Sequence, residues 1–564
     1  MRRPKLSEMT LREKIGQTAL VSQRSIYKLM ERPDVKEYME KYPFGGLWVH
    51  GASNVGDMNH GDKIRKEFKG KSYAVQYAQF IDKLNGFLGI PLLTGCDAES
   101  GCNLVFPEMT QTSTTMALGA TNSEELAYET GVCVATECSY GGINWIWGPV
   151  SDMALSNRGN SSSGRCYSDN PEIVEKLANA YLKGVQSCGI AATAKHFPGP
   201  GHHDTRDSHG SNTVNYDSFE VWEKEQGALF QSTIDAGVMS IMVGHSGFPA
   251  VDNRKEELGG YIPSTLSEKV ITDLLKKKMH FDGVVITDGI GMKSLIMTRP
   301  IDKLYVELLQ AGNDVILGVN DIEVYLDAVE NAVKGGQLSE ERIDDACTRI
   351  FNMKEKLGLF EKKEKELAVP NEVLERTKIL NKKVAQKSIT KLCDKNNLIP
   401  LSVGRYKKIL GIYLGYNDDT FELLGETLTK SFGQRGAEFK LQKFLDEELK
   451  HDELEQCEIA ANENDLIVYF ADLPNGNCDY FTGETWRTSV FSLVYGNEKS
   501  IVVSLRSPSV YYEYFTFAKT FLMTFGISEG VIQTLVEGLY GELPFTGKSP
   551  VELIPEYARE SYNL

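Results

Sequence analysis

Cysteine is scarce in this chain, with 10 residues among 564. No two of them form a C-x-x-C pair, and those such as Cys96, Cys133 and Cys188 lie in apolar or mixed surroundings. Small secreted domains depend on closely spaced disulfides, and cysteine-bound zinc needs paired ligands. The cysteine content therefore argues against a disulfide framework and against cysteine-ligated zinc, and it favours a reducing compartment.

The chain also lacks an excess of positive charge. It has 61 Lys and Arg against 78 Asp and Glu, which gives a formal net charge of -17. Nucleic acids and anionic membranes are bound through basic surfaces. The charge balance therefore argues against nucleic-acid and membrane partners.

Long apolar runs are missing as well. No apolar stretch reaches the length needed to cross a bilayer. The basic start Met1–Leu6 leads into Glu8 and a further charged segment, not into the apolar core of a signal peptide. These features predict a cytoplasmic protein.

What the chain does have, up to about residue 360, is a regular alternation of short apolar runs and longer segments of helical periodicity. Such alternation is typical of parallel strands joined by crossover helices. There are eight runs, the number of strands that closes a (β/α)8 barrel. The runs are Gln17–Ser22, Gly45–His50, Pro91–Asp97, Ile143–Val150, Ala191–Phe197, Ser240–His245, Gly283–Asp288 and Asp314–Gly318.

A second domain is predicted beyond these runs, because the chain is longer than one hydrophobic core usually supports. The charged segment Glu361–Glu366 and the following Val369–Asn371 are typical of a linker, and strand-like and helix-like segments alternate again after it. We therefore predict an α/β protein with a TIM-like (β/α)8 barrel in residues 1–360. A linker at 361–377 and a smaller α/β/α sandwich domain in residues 378–564 would follow.

Polar residues stand at or just after the end of several of the eight runs. In a (β/α)8 barrel the carboxyl ends of the strands form the catalytic face. We therefore expect these side chains to converge on one pocket. They are Asp97, Asp152, Lys195, His196, His245 and Asp288.

The segment Lys195–His209 contains four of the nine histidines, and its glycines allow sharp backbone turns. At its far end, Asp207 can accept a hydrogen bond from His209 and fix the tautomer of the imidazole, which can then donate and recover a proton near neutral pH. Asp288 follows the apolar run of another strand, where a nucleophile or base would be held rigidly. A carboxylate nucleophile opposite an acid/base group is the arrangement of a retaining glycosidase.

Several segments, in order along nearly the whole chain, resemble glycoside hydrolase family 3. Within that family, they are most similar to the bacterial β-N-acetylglucosaminidase branch. The matching segments are Thr10–Gln17, Gly95–Gly101, Gly164–Tyr167, Lys195–Gly199, Asp207–His209, Ile286–Met292, Leu398–Leu401 and Gly541–Pro544.

The resemblance implies a role for each matching residue. Asp288 would be the nucleophile that forms a covalent glycosyl-enzyme, His209 the acid/base and Asp207 the group that orients it. The implied reaction is exo-acting hydrolysis of terminal β-linked N-acetylglucosamine from small or oligosaccharide β-glycosides, without a cofactor or a metal. The residues implied in sugar binding are Asp97, Arg165, Lys195 and His196.

The wider family takes its acid/base from a glutamate of the second domain, which the dyad would make unnecessary. Residues 372–564 are therefore interpreted as mainly structural.

The chain departs from the branch in and near the loop. Pro200 stands where a histidine is usual, His202 and His203 fill an insertion of one residue, and Gly289 replaces a common second acid. These positions lie around the aglycone and the 2-substituent of the sugar. A β-glucosidase, a β-xylosidase and a phosphorolytic β-glycosidase therefore stay open as alternatives, as does a non-catalytic sugar-binding protein.

A zinc site is the rival interpretation of the loop. Imidazole and carboxylate groups are zinc ligands, although neighbouring histidines of an extended segment point opposite ways. The residues concerned are His202, His203, Asp204 and His209. The role of His245 also stays open, as a pocket wall or as a core residue.

Overall fold

The computed structural model describes residues 3–50, 72–155, 164–204, 206, 208–257, 259–361, 368–415, 417–444, 462–473 and 498–553. The chain forms two compact units. The first comprises residues 1–112, 127–153 and 174–377. The second comprises residues 113–126, 154–173 and 378–564, so that it takes two short stretches from the first third of the sequence.

Fourteen strands are described, and they belong to two sheets. They are β1 (Ala19–Ser22), β2 (Gly46–Trp48), β3 (Leu93–Cys96), β4 (Trp145–Ile146), β5 (Ala191–Phe197), β6 (Ser240–Val243), β7 (Val284–Thr287), β8 (Ile316–Val319), β9 (Thr390–Asp394), β10 (Lys408–Leu414), β11 (Glu438–Phe444), β12 (Leu466–Ala471), β13 (Ser500–Ser504) and β14 (Thr520–Met523).

Helices connect most of these strands. They are α1 (Leu11–Gln17), α2 (Gln23–Met30), α3 (Val35–Lys41), α4 (Tyr73–Leu88), α5 (Thr115–Thr121), α6 (Glu124–Tyr140), α7 (Pro171–Ser187), α8 (Phe219–Lys224), α9 (Gln226–Asp235), α10 (Lys293–Ile296), α11 (Ile301–Ala311), α12 (Ile322–Lys334), α13 (Glu340–Lys356), α14 (Asn371–Ser388), α15 (Asp418–Gly433), α16 (Ser509–Tyr514) and α17 (Glu529–Leu539). Lys269–Lys278 forms a π-helix.

The first unit is the predicted barrel. Strands β1 to β7 pair in parallel in sequence order, and β1 also pairs in parallel with β8. A parallel bridge between Ile286 and Val315 joins β7 to the segment before β8 and closes the ring. Seven of the eight predicted runs contain one of these strands, and the eighth overlaps β8, which ends one residue beyond it at Val319. The fold class is therefore confirmed.

The barrel interior is filled by alternating side chains of the strands. Trp145 and Trp147 both lie in this core, and the Trp145 indole N–H donates to Thr193 Oγ1 at 2.7 Å. A Cβ atom at Gly95 would lie 2.5 Å from the Trp147 ring, so only glycine leaves room for this indole. The two tryptophans are therefore packing residues, as their alternation in the sequence predicts.

One predicted helix is interrupted in the structure. The segment Phe219–Asp235 has helical periodicity throughout, but the backbone leaves the helical region at Glu225 (φ -111°, ψ -92°) and divides it into α8 and α9. Apolar periodicity continues across such a break because both helices pack on the barrel with the same kind of face. The pattern therefore located both helices but not the break.

Two cysteines depart from the expectation of reduced thiols. Cys102, after β3, and Cys138, in α6, form a disulfide with their Cα atoms 5.7 Å apart. Their sequence separation of 36 residues carries no local signal, because the pair depends on how α6 lies against the segment after β3. The other described cysteines form no disulfide; they are Cys96, Cys133, Cys166, Cys188, Cys347 and Cys393.

The second unit contains a six-stranded sheet in the order β11-β10-β12-β13-β14-β9. Its first five strands pair in parallel and β9 pairs antiparallel with β14. Buried apolar side chains from the sheet and from helices α15 and α17 form its core. This is the predicted smaller α/β domain. In the described parts of the chain, no helix is long and apolar enough to cross a membrane.

The amino-terminal end of the barrel holds a buried lysine on α13. Lys354 is fully buried, and its ammonium group donates to Gln17 Oε1 at 2.7 Å and to Gly45 O at 3.2 Å. Both acceptors are neutral, so neither balances a positive charge. Burial therefore lowers the pKa of Lys354 to about 7.

We predict that Lys354 makes the stability of the protein rise with pH. In the unfolded chain a lysine keeps its proton up to a pH of about 10.4, whereas folded Lys354 loses it near pH 7. Between these values the unfolded state binds more protons, so the free energy of unfolding rises by up to about 1.4 kcal/mol per pH unit. Denaturant unfolding of the wild type and Lys354→Met at pH 7, 8 and 9 measures this difference.

Lys356→Met is the matched control, because Lys356 is exposed two residues further along the same chain segment. Its pH dependence should run parallel to that of the wild type, while Lys354→Met should show a flatter one. Parallel curves for all three proteins would contradict a deprotonated Lys354.

Candidate active site

A buried ammonium group lies at the carboxyl ends of the barrel strands. The side chain of Lys195, on β5, is 1% exposed, and its Nζ lies 2.8 Å from Asp97 Oδ1 and 2.6 Å from Glu99 Oε1. Burying a charge without partners is costly, so the two carboxylates stabilise the position of this side chain. Asp97 is half-exposed and can also bind a ligand. The structure thus brings together Asp97 and Lys195, as predicted.

The next residue of β5, His196, is held by a carboxylate that follows β4. Asp152 Oδ2 lies 2.7 Å from His196 Nδ1, and the His196 backbone N–H donates to Asp152 Oδ1 at 3.0 Å. An acceptor-only carboxylate at Nδ1 requires a proton on this nitrogen. The imidazole therefore turns Nε2 away from Asp152, where it can contact a ligand.

Asp288 follows β7, as predicted, and is partly buried. Its Oδ1 accepts a hydrogen bond from the Gly289 N–H at 2.7 Å. Burial disfavours the charged carboxylate, but interaction with His196, the Gly289 N–H and Lys195 outweighs it and holds the pKa of Asp288 below its usual value. Asp288 is therefore ionised at neutral pH, the form that a nucleophile needs.

His245, after β6, is buried beside Asp288. Its Nε2 lies 3.1 Å from Gly289 O and its Nδ1 lies 2.9 Å from Thr265 Oγ1. A carbonyl oxygen only accepts, so Nε2 donates and Nδ1 accepts from the threonine hydroxyl. Burial lowers the pKa of His245, which favours this neutral imidazole. His245 is thus buried and holds the turn that follows β7.

His209 lies in a turn on the long loop after β5 and is exposed. Its carbonyl oxygen accepts a hydrogen bond from the Lys293 N–H at 3.3 Å, which ties the loop to the segment that follows Asp288. A positive charge on His209 also contributes to lowering the pKa of His245. Asp207, predicted to orient His209, lies outside the described residues.

Arg165, the remaining predicted sugar-binding residue, lies in a turn of the second unit and is partly exposed. Its role in sugar binding stays a prediction from the motif Gly164–Tyr167.

The first half of the loop is folded tightly. Gly199 and Gly201 have φ values of +98° and +72°, which glycine adopts without strain, as the glycine content of the loop predicts. His202 Nδ1 lies 3.0 Å from Asp217 Oδ2, and its Nε2 lies 3.2 Å from Glu225 Oε2. His202 thus lies between two carboxylates and ties the loop to the start of α9.

The described residues contain no group of three or more His, Cys, Asp or Glu that could hold a metal ion. Two members of the rival zinc set have other partners. The carboxylates beside His202 hold its ring, and Asp204 pairs with Arg206 at 2.6 Å.

An aromatic side chain lies beside the turn that follows Asp288. Trp48, at the end of β2, is partly exposed, and its ring centroid lies 5.9 Å from that of Trp147. A Cβ atom at Gly289 would lie 3.9 Å from the Trp48 indole. A side chain at position 289 would therefore contact the Trp48 indole.

Glu99 and Asp152 were not among the predicted site residues. Glu99 lies in the motif Gly95–Gly101. Lys195 could have indicated its role, because the ammonium group of a buried lysine needs more than one acceptor. Asp152 was placed on the catalytic face by its position after a strand, but its contact with His196 spans 44 residues of sequence. Such a pairing has no local signature.

Comparisons with known proteins identify the family to which the chain belongs. Residues 10–353 match the family model described as the glycosyl hydrolase family 3 N terminal domain. A β-N-acetylglucosaminidase/β-glucosidase of Cellulomonas fimi is 27% identical over 504 residues, covering 85% of this chain and 86% of its own.

Two solved structures share the whole architecture. A family 3 β-N-acetylglucosaminidase from Paenibacillus sp. str. FPU-7 has a TM-score of 0.80 and 25% identity, covering 97% of this chain and 99% of its own. A β-glucoside phosphorylase has a TM-score of 0.79 and 25% identity, covering 97% and 94%. The matched region includes the barrel and the residues around Asp288, so the predicted family is confirmed. The chain belongs to glycosyl hydrolase family 3.

Proposed function

We propose that this enzyme is a retaining, exo-acting β-N-acetylglucosaminidase that hydrolyses terminal β-linked N-acetylglucosamine. The observation that carries the proposal is the ionised carboxylate of Asp288, held at the barrel mouth beside Lys195 and His196. The names of the Cellulomonas fimi and Paenibacillus relatives support the choice of sugar.

In the first step, a carboxylate oxygen of Asp288 attacks the anomeric carbon while the bond to the glycosidic oxygen breaks. His209 donates its proton to that oxygen, so the leaving group departs as a neutral alcohol. The negative charge of Asp288 stabilises the oxocarbenium-like transition state, and a covalent glycosyl-enzyme results.

In the second step, His209 takes a proton from a water molecule, whose oxygen attacks the anomeric carbon. The bond to Asp288 breaks, and the sugar leaves with its original anomeric configuration. Asp207 would accept a hydrogen bond from one ring nitrogen of His209, so that the other nitrogen faces the substrate and carries the proton that is given and taken back.

Sugar binding is assigned to charged side chains at the mouth of the barrel. The half-exposed carboxylate of Asp97 would accept from a sugar hydroxyl, and Lys195 would donate to one. His196 would contribute Nε2, because Asp152 occupies the other nitrogen. Arg165 completes the set proposed from the motifs. No metal or cofactor takes part in this scheme.

Phosphorolysis is the second candidate, favoured by the similarity to a β-glucoside phosphorylase. In that reaction phosphate replaces water in the second step. A neutral histidine as acid/base would not repel the phosphate anion as a glutamate would. A cytoplasmic location is also proposed, supported by the scarcity of cysteine and the lack of C-x-x-C pairs; the disulfide of Cys102 and Cys138 is the observation that runs against it.

A panel of p-nitrophenyl β-glycosides tests the substrate. We expect turnover of the N-acetylglucosaminide with retention of configuration, and loss of that turnover in Asp288→Ala, because the variant has no nucleophile. Assays of the N-acetylgalactosaminide, glucoside and xyloside, each with and without phosphate, complete the panel. Rapid cleavage of the glucoside and none of the N-acetylglucosaminide would contradict the substrate, and a sugar phosphate product would identify the phosphorolytic enzyme.

The dependence on leaving group tests His209. We expect His209→Ala to slow cleavage of aryl glycosides by about 100-fold or more when the leaving group is a poor one, and much less when it is an activated phenol, which departs without a proton. Equal slowing across leaving groups of different pKa would show that His209 is not the acid.

Asp152 is predicted to position His196. In Asp152→Asn the amide can still accept from the His196 backbone, but it offers Nδ1 an N–H group in place of an acceptor. Loss of a hydrogen bond between charged groups corresponds to about 1.5–3 kcal/mol, so kcat/KM should fall by roughly 10- to 150-fold. Steady-state kinetics measures this change, and unchanged kinetics would mean that the orientation of His196 does not matter.

A further inference from the structure

The loop that carries His209 is closed at its base by a single carboxylate. Asp204 accepts hydrogen bonds from the Arg206 backbone N–H at 3.1 Å and from Arg206 Nε and Nη2 at 2.9 and 2.6 Å. It also accepts from the Val214 N–H at 2.8 Å, on the returning side of the loop. The Asp204 side chain is 5% exposed. One carboxylate therefore binds both sides of the loop.

Arg206 makes a second connection across the loop. Its Nη2 donates to Asn212 O at 2.9 Å, in addition to its hydrogen bond with Asp204. His209 lies midway between Arg206 and Asn212 in the sequence. The guanidinium group thus joins the two sides directly below the turn that carries His209.

The returning side is itself fixed to the next loop of the barrel. The Asn215 N–H donates to Gly247 O at 2.8 Å, and the Gly247 N–H donates to Thr213 O at 2.9 Å. A hydrogen bond of 2.6 Å also links the hydroxyls of Thr213 and Ser246. Because residues 213–215 are held to the loop after β6, a hydrogen bond from Val214 to Asp204 ties the outgoing side to a fixed support.

The ion pair is suited to this role. Burial disfavours the charged form of Asp204, but hydrogen bonds from Arg206 and Val214 outweigh it and hold the pKa of the carboxyl below its usual value. The carboxylate therefore stays an acceptor throughout the neutral range. The planar guanidinium group binds it through two nitrogens, which fixes direction as well as distance.

We propose that Asp204 and Arg206 are positioning residues that close the base of the loop and hold His209 where it can reach the glycosidic oxygen. The inference rests on the proposed function, because it takes His209 as the acid/base. It gives Asp204 the role of fixing the shape of the loop.

Arg206→Ala tests the proposal, and Arg254→Ala is its matched control. Arg254 pairs with Asp252 at the same spacing of two residues, and both arginine side chains are 54% exposed. Arg254 lies in the loop after β6, where its guanidinium group donates to Asp252. Both substitutions remove an exposed guanidinium group, so neither should prevent folding.

The kinetic readout is the dependence on leaving group. We expect Arg206→Ala to lower kcat for poor leaving groups by about 10- to 100-fold, the loss produced by a misplaced catalytic group, with little change in KM. Cleavage of an activated dinitrophenyl glycoside should change much less, and added guanidinium ion should restore part of the loss. A uniform loss for all leaving groups, or the same loss in Arg254→Ala, would overturn the proposal.

Hydrogen exchange gives a readout that is independent of the reaction. In substrate-free Arg206→Ala the amide of Val214 should exchange faster than in the wild type and in Arg254→Ala, because its acceptor is no longer held. An unchanged exchange rate overturns the closed loop. A wild-type protein that cleaves none of the glycosides contradicts the proposed function instead, and the exchange experiment still decides the role of Arg206.

Discussion

The burial of positive charge at the mouth of the barrel governs the arrangement of the site. Lys195 is almost completely inside the protein, and a buried ammonium group is stable only with charged partners. It therefore fixes the two carboxylates after β3, Asp97 and Glu99, while its neighbour His196 is fixed by Asp152 after β4. The ionised Asp288 completes this balance of charges. The proposed nucleophile and the proposed sugar-binding residues are thus held by the same electrostatic requirement.

The barrel could be predicted from the sequence because its strands are short and apolar, and several are followed by a polar residue. Asp288 and Lys195 stand out for the same local reason. The contacts around them do not, because Asp152 and His196 are 44 residues apart in the sequence and meet only when β4 and β5 pair. The break at Glu225 and the pair of Cys102 and Cys138 also depend on packing between distant segments. Local pattern therefore predicts the elements better than their partners.

In the loop after β5, the residues that hold the loop in place differ from the residue that is proposed as the acid/base. Its first half is tied down by His202 between two carboxylates, and its base is closed by Asp204. In the sequence all of these look alike, as a run of histidines and acids that suits a metal site equally well. The structure distinguishes them because Asp204 already has Arg206 and Val214 as donors, and His202 already lies beside two carboxylates. His209, at the turn, is exposed.

The position of Trp48 has a practical consequence for observing the enzyme. Its indole is partly exposed beside the turn after Asp288, whereas Trp145, Trp147 and Trp222 are enclosed in the protein. A tryptophan at a polar boundary emits light according to how much water surrounds it. A sugar that enters the pocket displaces that water, so the natural fluorescence of the protein reports occupancy directly, without a label or a chromogenic substrate.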